Sequence, residues 1–358
     1  MAFWTPQTLD ISLNAFFHYL LLNAWVAPLF WLSIPFFMHG FFPLLGSIIL
    51  WMTCFALASI SIVRLMLQKP ATRITSWSTE IIIITGGSHG IGAVLTDILA
   101  NTKKVKKVVV LDKIPPTIQA ENVCYFECDV SDSKAVEQVG SKIVNQVGNP
   151  TALINSAGIV SGKTMMDLTV SEIKQTIGVN LLGPFYTIKA FLPGFMDRNK
   201  GHIINIASVL GLSGTAQVSD YCASKFGVVG MTESLRQEIA HSNVYVTCVY
   251  PGLTTTGMFE GLSHKFPWLT PFMEPKRVAH AIVDALESGQ SHDIKFPLYA
   301  HALPLLHILP IEISDLVKCF LGANDDMKEF KGSISASLYK SMTDVKLYPR
   351  PDRLQDPQ

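Results

Sequence analysis

Charged side chains are missing from a long N-terminal stretch of this chain. No Asp, Glu, Lys or Arg occurs from Ile11 to Val63, although the 358 residues hold 28 basic and 28 acidic side chains. The stretch is much longer than the roughly 20 apolar residues that cross a bilayer once. It has neither the basic leader nor the small-residue cleavage site of a signal peptide. A buried core helix rarely runs this long without a polar face, so the stretch predicts an apolar α-helical membrane anchor.

The predicted anchor divides into two apolar segments. They run over about Ala15–Met38 and Phe42–Val63, with a break near Gly40. The pair either spans the bilayer twice or forms a hairpin that enters one leaflet. We place the whole anchor at residues 1–66 and a linker at residues 67–79.

Basic residues follow the anchor directly. Arg64, Lys69 and Arg73 precede the next acidic residue, Glu80. Positive charge next to a membrane segment favours the cytosolic side. The remainder of the chain is therefore expected to face the cytosol.

Two further absences limit the function. The formal net charge is zero, so composition gives no argument for a nucleic-acid partner, and we expect none. The six cysteines form no CxxC pair and no metal-ligand spacing, so we expect reduced thiols and no metal site.

Strand and helix patterns alternate after the linker, as expected for a parallel sheet covered on both faces. The predicted strands are Glu80–Thr85, Lys107–Leu111, Val123–Cys128, Ala152–Ile154, His202–Ala207, Tyr245–Val249 and Asp293–Phe296. The predicted helices are Ile91–Asn101, Ser133–Val147, Val170–Asn180 (extended towards Phe195), Ser219–His241 and Pro275–Ser288. The fold class is α/β, a doubly wound parallel sheet in one Rossmann-like domain at residues 80–304. A C-terminal helix and a flexible tail follow at residues 305–358.

A glycine-rich turn closes the first predicted strand. Gly86, Gly90 and Gly92 are spaced G-x-x-x-G-x-G, after four isoleucines and before an apolar helix. Glycines let the backbone approach a pyrophosphate, and the free N–H groups at the helix N-terminus face the anion. The turn therefore predicts a dinucleotide site.

Asp112 ends the second predicted strand. A carboxylate there accepts hydrogen bonds from the adenosine ribose and repels a 2′-phosphate, which favours NAD over NADP. Lys113 beside it and His89 in the glycine turn soften that repulsion. The cofactor is thus NAD or NADP, with NAD favoured. The short, proline-containing connection to Asp129 is expected to hold no crossover helix.

The run Tyr221-Cys-Ala-Ser-Lys225 predicts the chemistry. Residues four apart share one face of a helix, and a nearby ammonium lowers the pKa of a phenol from about 10 towards neutrality. That is what a general acid–base needs at cellular pH. Ser208, at the end of a strand, can hydrogen-bond the substrate oxygen. Taken singly, these residues have ordinary structural interpretations; together they predict a nicotinamide-dependent oxidoreductase.

The chain resembles the short-chain dehydrogenase/reductases, and within them the membrane-anchored retinol dehydrogenase and 17-beta-hydroxysteroid dehydrogenase-like group. The likeness spans about Glu80 to Pro304. Its motifs are Thr85–Gly92, Cys128-Asp129-Val130, Leu153–Gly158, Val179-Asn180, His202–Ser208, Tyr221–Lys225 and Pro251-Gly252. This set is specific to the superfamily. Residence at the endoplasmic reticulum or a lipid droplet fits such a protein, and a homodimer is kept open.

The resemblance implies four catalytic residues, Tyr221, Lys225, Ser208 and Asn180, the last holding a water of the proton relay. The cofactor-binding residues it implies are Thr85, Gly86, Ser88, His89, Gly90, Ile91, Gly92, Asp112, Asp129, Val130, Asn155, Ala157, Gly158, Tyr221, Lys225, Pro251, Gly252 and Thr256. One departure is Ser156, where the family has asparagine in Asn-Asn-Ala-Gly. We expect little effect, because Asn155 is retained.

The substrate is expected to be lipophilic. The segment from Leu253 to about Phe272 is rich in Leu, Phe and Met and predicts a substrate lid, although it could merely cover the sheet edge. With the anchor, it indicates a sterol, retinoid-like or long-chain alcohol and its ketone or aldehyde. The run Pro297–Leu321 is apolar enough to touch a bilayer or to pack as a C-terminal helix.

Two other functions compete with this one. A non-catalytic membrane or lipid-droplet protein that kept the fold would be expected to lose Tyr221, Lys225 or Ser208, and all three are present. A sugar-nucleotide epimerase would have a larger C-terminal domain and a different glycine spacing.

Overall fold

The structure is a computed structural model of the whole chain. It describes residues 44–67, 71–262, 265–268 and 270–324, together with Met327 and Phe330. The chain forms two compact units, Met1–Ala71 and Thr72–Gln358. The predicted segment Ala15–Met38 and the tail after Phe330 lie outside the described residues.

The first unit contributes one described helix, α1 (Leu44–Leu67). It covers most of the second predicted apolar segment. In the described part of the chain, no helix meets the combination of length and apolar character needed to cross a membrane. The predicted membrane span is therefore unsupported by the structure.

The second unit is built on a seven-stranded parallel sheet with strand order β3-β2-β1-β4-β5-β6-β7. The strands are β1 (Ile81–Thr85), β2 (Lys107–Asp112), β3 (Val123–Glu127), β4 (Ala152–Asn155), β5 (Gly201–Ile206), β6 (Val244–Tyr250) and β7 (Asp293–Lys295). Every residue of β1, β4, β5 and β6 is buried, because helices cover both faces of the sheet. The predicted doubly wound α/β fold is confirmed.

Alternate residues of β1 supply two separate cores. The helices of this unit are α2 (Gly90–Asp97), α3 (Ser133–Gln146), α4 (Val170–Ile177), α5 (Gly183–Asp197), α6 (Ser219–Glu238), α7 (Pro275–Ser288) and α8 (Ile311–Leu321). Ile82 and Ile84 pack with α2 and α7 on one face. Ile81 and Ile83 pack with α3, α5 and α6 on the other. The period-2 side-chain alternation of a strand produces these two layers.

Most helix boundaries lie close to their predicted positions, but two helices contain a π turn. Helix α2 continues as a π turn at Ile98–Thr102, and another at Gly178–Leu182 separates α4 from α5. A single long helix was predicted there. The described connection from β2 to β3 contains no helix, as expected.

The predicted linker and tail both contribute to the second unit. The Thr72 backbone N–H donates to the Gly289 carbonyl at 3.1 Å, and the hydroxyls of Thr72 and Tyr245 are 3.1 Å apart. Met327 is buried, and Phe330 packs against Gly162. Thr72 from the predicted linker and Met327 and Phe330 from the predicted tail therefore pack as parts of the second unit.

Candidate active site

The carboxyl ends of the parallel strands border one large cavity of about 650 Å³. Parallel strands bring their ends to the same edge of a sheet, where α/β folds bind ligands. Fifteen of the predicted site residues line this cavity: Gly86, His89, Gly90, Ile91, Asp112, Asp129, Val130, Ala157, Gly158, Ser208, Tyr221, Lys225, Pro251, Gly252 and Thr256. The structure therefore brings most of the predicted site together. The five others, Thr85, Ser88, Gly92, Asn155 and Asn180, lie outside the lining. All five are buried, and the four with polar side chains are hydrogen-bonded through them.

The glycine turn is shaped by close backbone approach. Gly86 has φ +67°, and a Cβ on it would come within 2.7 Å of the Ala157 Cα. A Cβ on Gly92 would collide with the Gly86 carbonyl oxygen. The Thr85 hydroxyl accepts hydrogen bonds from the backbone of Ser156 and Ala157, each at 3.1 Å. The turn thus has no room for side chains at Gly86 and Gly92, which is the close backbone packing that a pyrophosphate-binding turn needs.

Asp112 binds the backbone next to this turn. Its carboxylate accepts hydrogen bonds from the backbone N–H of Ser88 at 3.0 Å and of Lys113 at 2.8 Å. The carboxylate lines the cavity, and each oxygen keeps a further lone pair for a ribose hydroxyl.

Lys113 forms an ion pair that the sequence did not predict. Its Nζ lies 2.6 Å from the Asp129 carboxylate. Burial alone would raise the pKa of Asp129, but hydrogen bonds from Lys113 and Ser131 outweigh it and lower that pKa. The ammonium that could soften the charge of Asp112 is therefore held by another carboxylate.

Tyr221, Lys225 and Ser208 meet at the inner wall of the cavity. Tyr221 and Lys225 lie one turn apart on α6, with Lys225 Nζ 5.6 Å from the centre of the Tyr221 ring. Ser208 lies two residues after β5; its hydroxyl donates to the Pro251 carbonyl at 3.4 Å and accepts from the Leu210 N–H at 3.2 Å. It is also close enough to the Tyr221 hydroxyl to influence the pKa of that phenol. The Lys225 ammonium donates to the Ile206 carbonyl at 2.8 Å. All three side chains are buried.

The pKa of Tyr221 differs from the sequence prediction. Burial raises the pKa of its phenol above the ordinary value of 10, and the hydrogen bond from Ser208 opposes this only in part. Burial also lowers the pKa of Lys225 to about 8. The sequence predicts a lowered pKa for Tyr221, whereas burial raises it in the protein alone, and the group that opposes burial is Ser208 and not Lys225.

Asn180 sits in the second π turn and lies behind the cavity wall. Its amide oxygen accepts from the Ile159 N–H at 2.8 Å, and its amide nitrogen donates to the Ile159 carbonyl at 2.9 Å and to Ser224 Oγ at 3.1 Å. These bonds fix the chain after β4 against α6. π turns often occur at functional sites, where they redirect one side chain.

Asn155 belongs to a chain of buried hydrogen bonds that runs over β4 and β5 on one face of the sheet, from α5 to α6. Thr187 donates to Asn155, Asn155 donates to Asn205, and Asn205 donates to Thr232, at 2.7, 2.8 and 3.0 Å. These bonds tie β4 to β5 and to α5 through Asn155. Asn205 was missed, although an amide side chain between two isoleucines of β5 indicated it.

Residues of the predicted lid contribute to the wall of the cavity. Among the lid residues, Leu253, Thr254, Met258, Phe259, Leu262 and Thr270 line the cavity, and Phe259 contacts the Tyr221 ring edge-on at 5.7 Å. The C-terminal segment adds Leu306, Val317, Leu321 and Met327. The sequence missed Met327 and Phe330, which are apolar residues three apart in a polar segment.

The family is established by sequence comparison. The profile of the short chain dehydrogenase family matches residues 80–266, and the chain belongs to this family. It is 35% identical to human Short-chain dehydrogenase/reductase 3 over 71% of this chain and 87% of that protein. It is 32% identical to human Epidermal retinol dehydrogenase 2 over 74% of this chain and 88% of that protein. Bovine Short-chain dehydrogenase/reductase family 16C member 6 is 33% identical over 70% of this chain and 83% of its own length.

Solved structures show the same fold. A 4-hydroxyisoleucine dehydrogenase complexed with NADH superimposes with a TM-score of 0.53 and 25% identity, over 60% of this chain and 96% of that one. The aldohexose dehydrogenase of Thermoplasma acidophilum gives a TM-score of 0.54 and 26% identity, over 62% and 94%. The protein is thus an NAD(P)-dependent oxidoreductase that resembles retinol dehydrogenases, as predicted.

Proposed function

We propose that this protein interconverts a lipophilic alcohol and its ketone or aldehyde at a membrane, with Tyr221 as the general acid–base. One observation carries the proposal. The Tyr221 and Ser208 hydroxyls and the Lys225 ammonium border the same cavity as the glycine turn, and its outer wall is apolar. The names of the retinol dehydrogenase relatives support a retinoid-like or other long apolar substrate.

Each buried polar group has a distinct task in this proposal. Ser208 Oγ holds the substrate oxygen beside the phenol. In oxidation, Tyr221 acts as the phenolate and accepts the proton of the alcohol, which gives the phenol. In reduction, the phenol donates that proton to the carbonyl oxygen and becomes the phenolate. Lys225 stabilises this phenolate, since an ammonium near a phenol favours its charged form. The nicotinamide cofactor, when bound, supplies or accepts the hydride. Asn180 positions Ile159 and Ser224 and would hold a water molecule of the proton relay that leads to Tyr221.

The glycine turn and the ends of β2 and β3 would hold the cofactor. The free N–H groups around Gly90 would face the pyrophosphate, and Asp112 would accept from the adenosine ribose. Asp129 and Val130 would contact the adenine, while Pro251, Gly252 and Thr256 would border the carboxamide. The Lys113–Asp129 ion pair supports a preference for NAD. The Lys113 ammonium is paired with Asp129, so it is less able to bind the 2′-phosphate of NADP.

Asp112→Asn should raise the use of NADP relative to NAD by about tenfold, since it removes a negative charge a few ångströms from the 2′ position. The measurement is the ratio of kcat/KM for the two cofactors. Glu121→Gln, an exposed site outside the cavity lining, is the matched control. An unchanged ratio in Asp112→Asn would remove the ribose role from this residue.

Membrane attachment rests on the uncharged stretch from Ile11 to Val63. Apolar insertion is not screened by salt, whereas electrostatic attachment is. The full chain should therefore stay in the membrane pellet after washes with high salt and alkaline carbonate. Recovery in the supernatant would contradict the anchor. Fractionation would then distinguish endoplasmic reticulum from lipid droplet, with the catalytic unit on the cytosolic side.

A panel of lipophilic alcohols and ketones, assayed with both cofactors on membranes that carry the full chain, tests the function directly. We expect turnover of long apolar substrates with KM values well below those of short alcohols. Cofactor binding without turnover of any substrate would favour the non-catalytic alternative.

A further inference from the structure

Two helical elements that precede Gly322 line the cavity on one side and are exposed on the other. They are the 3-10 turn Leu303–His307 and α8 (Ile311–Leu321), and we call them together the C-terminal rim. Leu303, Leu306, Val317 and Leu321 line the cavity. The opposite side of the rim carries large apolar side chains that are exposed.

Helix α8 shows this division most clearly. Ser314, Val317, Lys318 and Leu321 follow helical spacing and form its less exposed face; the last three line the cavity. Ile313, Leu316 and Phe320 form a second stripe that is exposed, with Leu316 at 68% and Phe320 at 65%. Glu312, Asp315 and Cys319 form a third stripe at its edge. Exposed apolar stripes of this kind mark a surface with a partner.

Exposed apolar side chains also precede this stripe in the rim. Leu305 and Ile308 lie before α8, and Ile308 is 78% exposed. Across the rim, Lys265 Nζ donates to the Phe320 carbonyl at 3.1 Å and lies 5.5 Å from the centre of its ring. Trp268 is also exposed. Exposed Trp and Lys beside apolar side chains are typical of a membrane interface, where an apolar body meets a polar tip.

We propose that the exposed face of the C-terminal rim lies in the headgroup region of a lipid bilayer. The choice of a bilayer rests on three observations. Only Glu312, Asp315 and Lys318 are acidic or basic among residues 297–321, and none of them belongs to the exposed apolar stripe. The same chain carries the uncharged stretch from Ile11 to Val63. The same two elements line the apolar cavity with their other side, which places the proposed substrate site next to the lipid.

Helix length decides how the rim would lie. Helix α8 has 11 residues, which at about 1.5 Å per residue covers about half of a hydrocarbon core of about 30 Å. It is therefore an in-plane helix and not a span. Interfacial helices bury their apolar face about 5–10 Å deep. This contact is distinct from the predicted N-terminal anchor. It rests on the membrane location of the proposed function and does not depend on the proposed catalysis.

Cys319 provides a direct test. It is the one cysteine of the six that is exposed. The full chain is labelled there with the environment-sensitive fluorophore NBD and reconstituted into phosphatidylcholine vesicles. We expect a blue-shifted emission and quenching by lipids that carry a shallow doxyl group. Cys319→Ser, labelled in parallel, gives the background from the other thiols.

A second labelling site controls for mere proximity to the vesicle. Lys142→Cys in the Cys319→Ser background places the label on the exposed surface of α3, near its C-terminal end. That helix runs back from the cavity edge of the sheet, so its C-terminal end lies at the opposite edge. We expect little quenching at this site. Equal quenching at both sites, or none at Cys319, would overturn the proposal.

Further outcomes separate this proposal from its rivals. Leu316→Gln/Phe320→Gln should reduce quenching at Cys319 while the protein stays in the vesicle pellet. The label could instead show a blue shift that increases with protein concentration and is not quenched by the doxyl lipids. That result would indicate that a second copy of the chain covers the face, and it would overturn the bilayer contact. Because the label is read without substrate or cofactor, failure here leaves the proposed catalysis intact, and loss of turnover leaves the docking result intact.

Discussion

Tyr221→Phe should lower turnover by about a thousandfold, within the usual range for loss of a general acid–base. The substitution removes the hydroxyl that meets Ser208 and leaves the buried ring against Phe259, 5.7 Å away. Cofactor affinity should change little, because the ring still fills the same wall. The measurements are kcat with a lipophilic alcohol and the cofactor dissociation constant from fluorescence titration.

Tyr245→Phe is the matched control for this change. Tyr245 is buried near the start of β6, at the edge of the sheet opposite the cavity. Its hydroxyl is hydrogen-bonded to the hydroxyl of Thr72. Loss of that hydroxyl should cost about 1 kcal/mol of stability and leave kcat unchanged. If Tyr221→Phe kept kcat within tenfold of the unsubstituted protein, the proton donor would have to be another group.

Gly92→Ala should weaken cofactor binding by about a hundredfold, which corresponds to about 2.7 kcal/mol. The new Cβ would collide with the Gly86 carbonyl and come within 3.1 Å of the Gly87 Cα, so the turn must open. Backbone atoms on both sides leave no flexible side chain to give way. Isothermal titration with NAD measures the affinity, and thermal unfolding measures the accompanying loss of stability.

Gly230→Ala separates this effect from a general response to alanine. Gly230 lies in α6, and a Cβ there would meet nothing within 4 Å. Alanine is favoured over glycine in a helix by about 1 kcal/mol, so this variant should be slightly more stable and bind cofactor normally. Normal NAD affinity in Gly92→Ala would show that the glycine turn is not the pyrophosphate site.

The sheet could be predicted because its information is local. Strands buried on both faces read as continuous apolar runs, such as the four isoleucines of β1. The glycine turn and Asp112 follow their strands directly, so each could be placed at the cavity edge from the sequence. Tyr221 and Lys225 are one helical turn apart, which fixes their common face without any tertiary information.

The rest depends on contacts between distant segments. The π turn at Gly178–Leu182 interrupts a helix whose sequence pattern gives no sign of it. Lys113 and Asp129 form their ion pair because β2 packs beside β3. Met327 packs near Tyr221 although the two residues are more than a hundred positions apart in the sequence. The direction of the Tyr221 pKa shift also required the fold, since only tertiary packing shows that the phenol is buried.

The burial of Lys225 links the stability of the protein to alkaline pH. Its pKa is about 8 in the folded chain and about 10.5 when the side chain is solvated. Between these values the unfolded chain binds more protons, so this residue makes unfolding harder as the pH rises through that window. Below about pH 8 the folded chain carries a desolvated ammonium, and the full destabilisation is present. An anion bound beside the ammonium would offset it, so ligand-induced stabilisation should be largest at neutral pH.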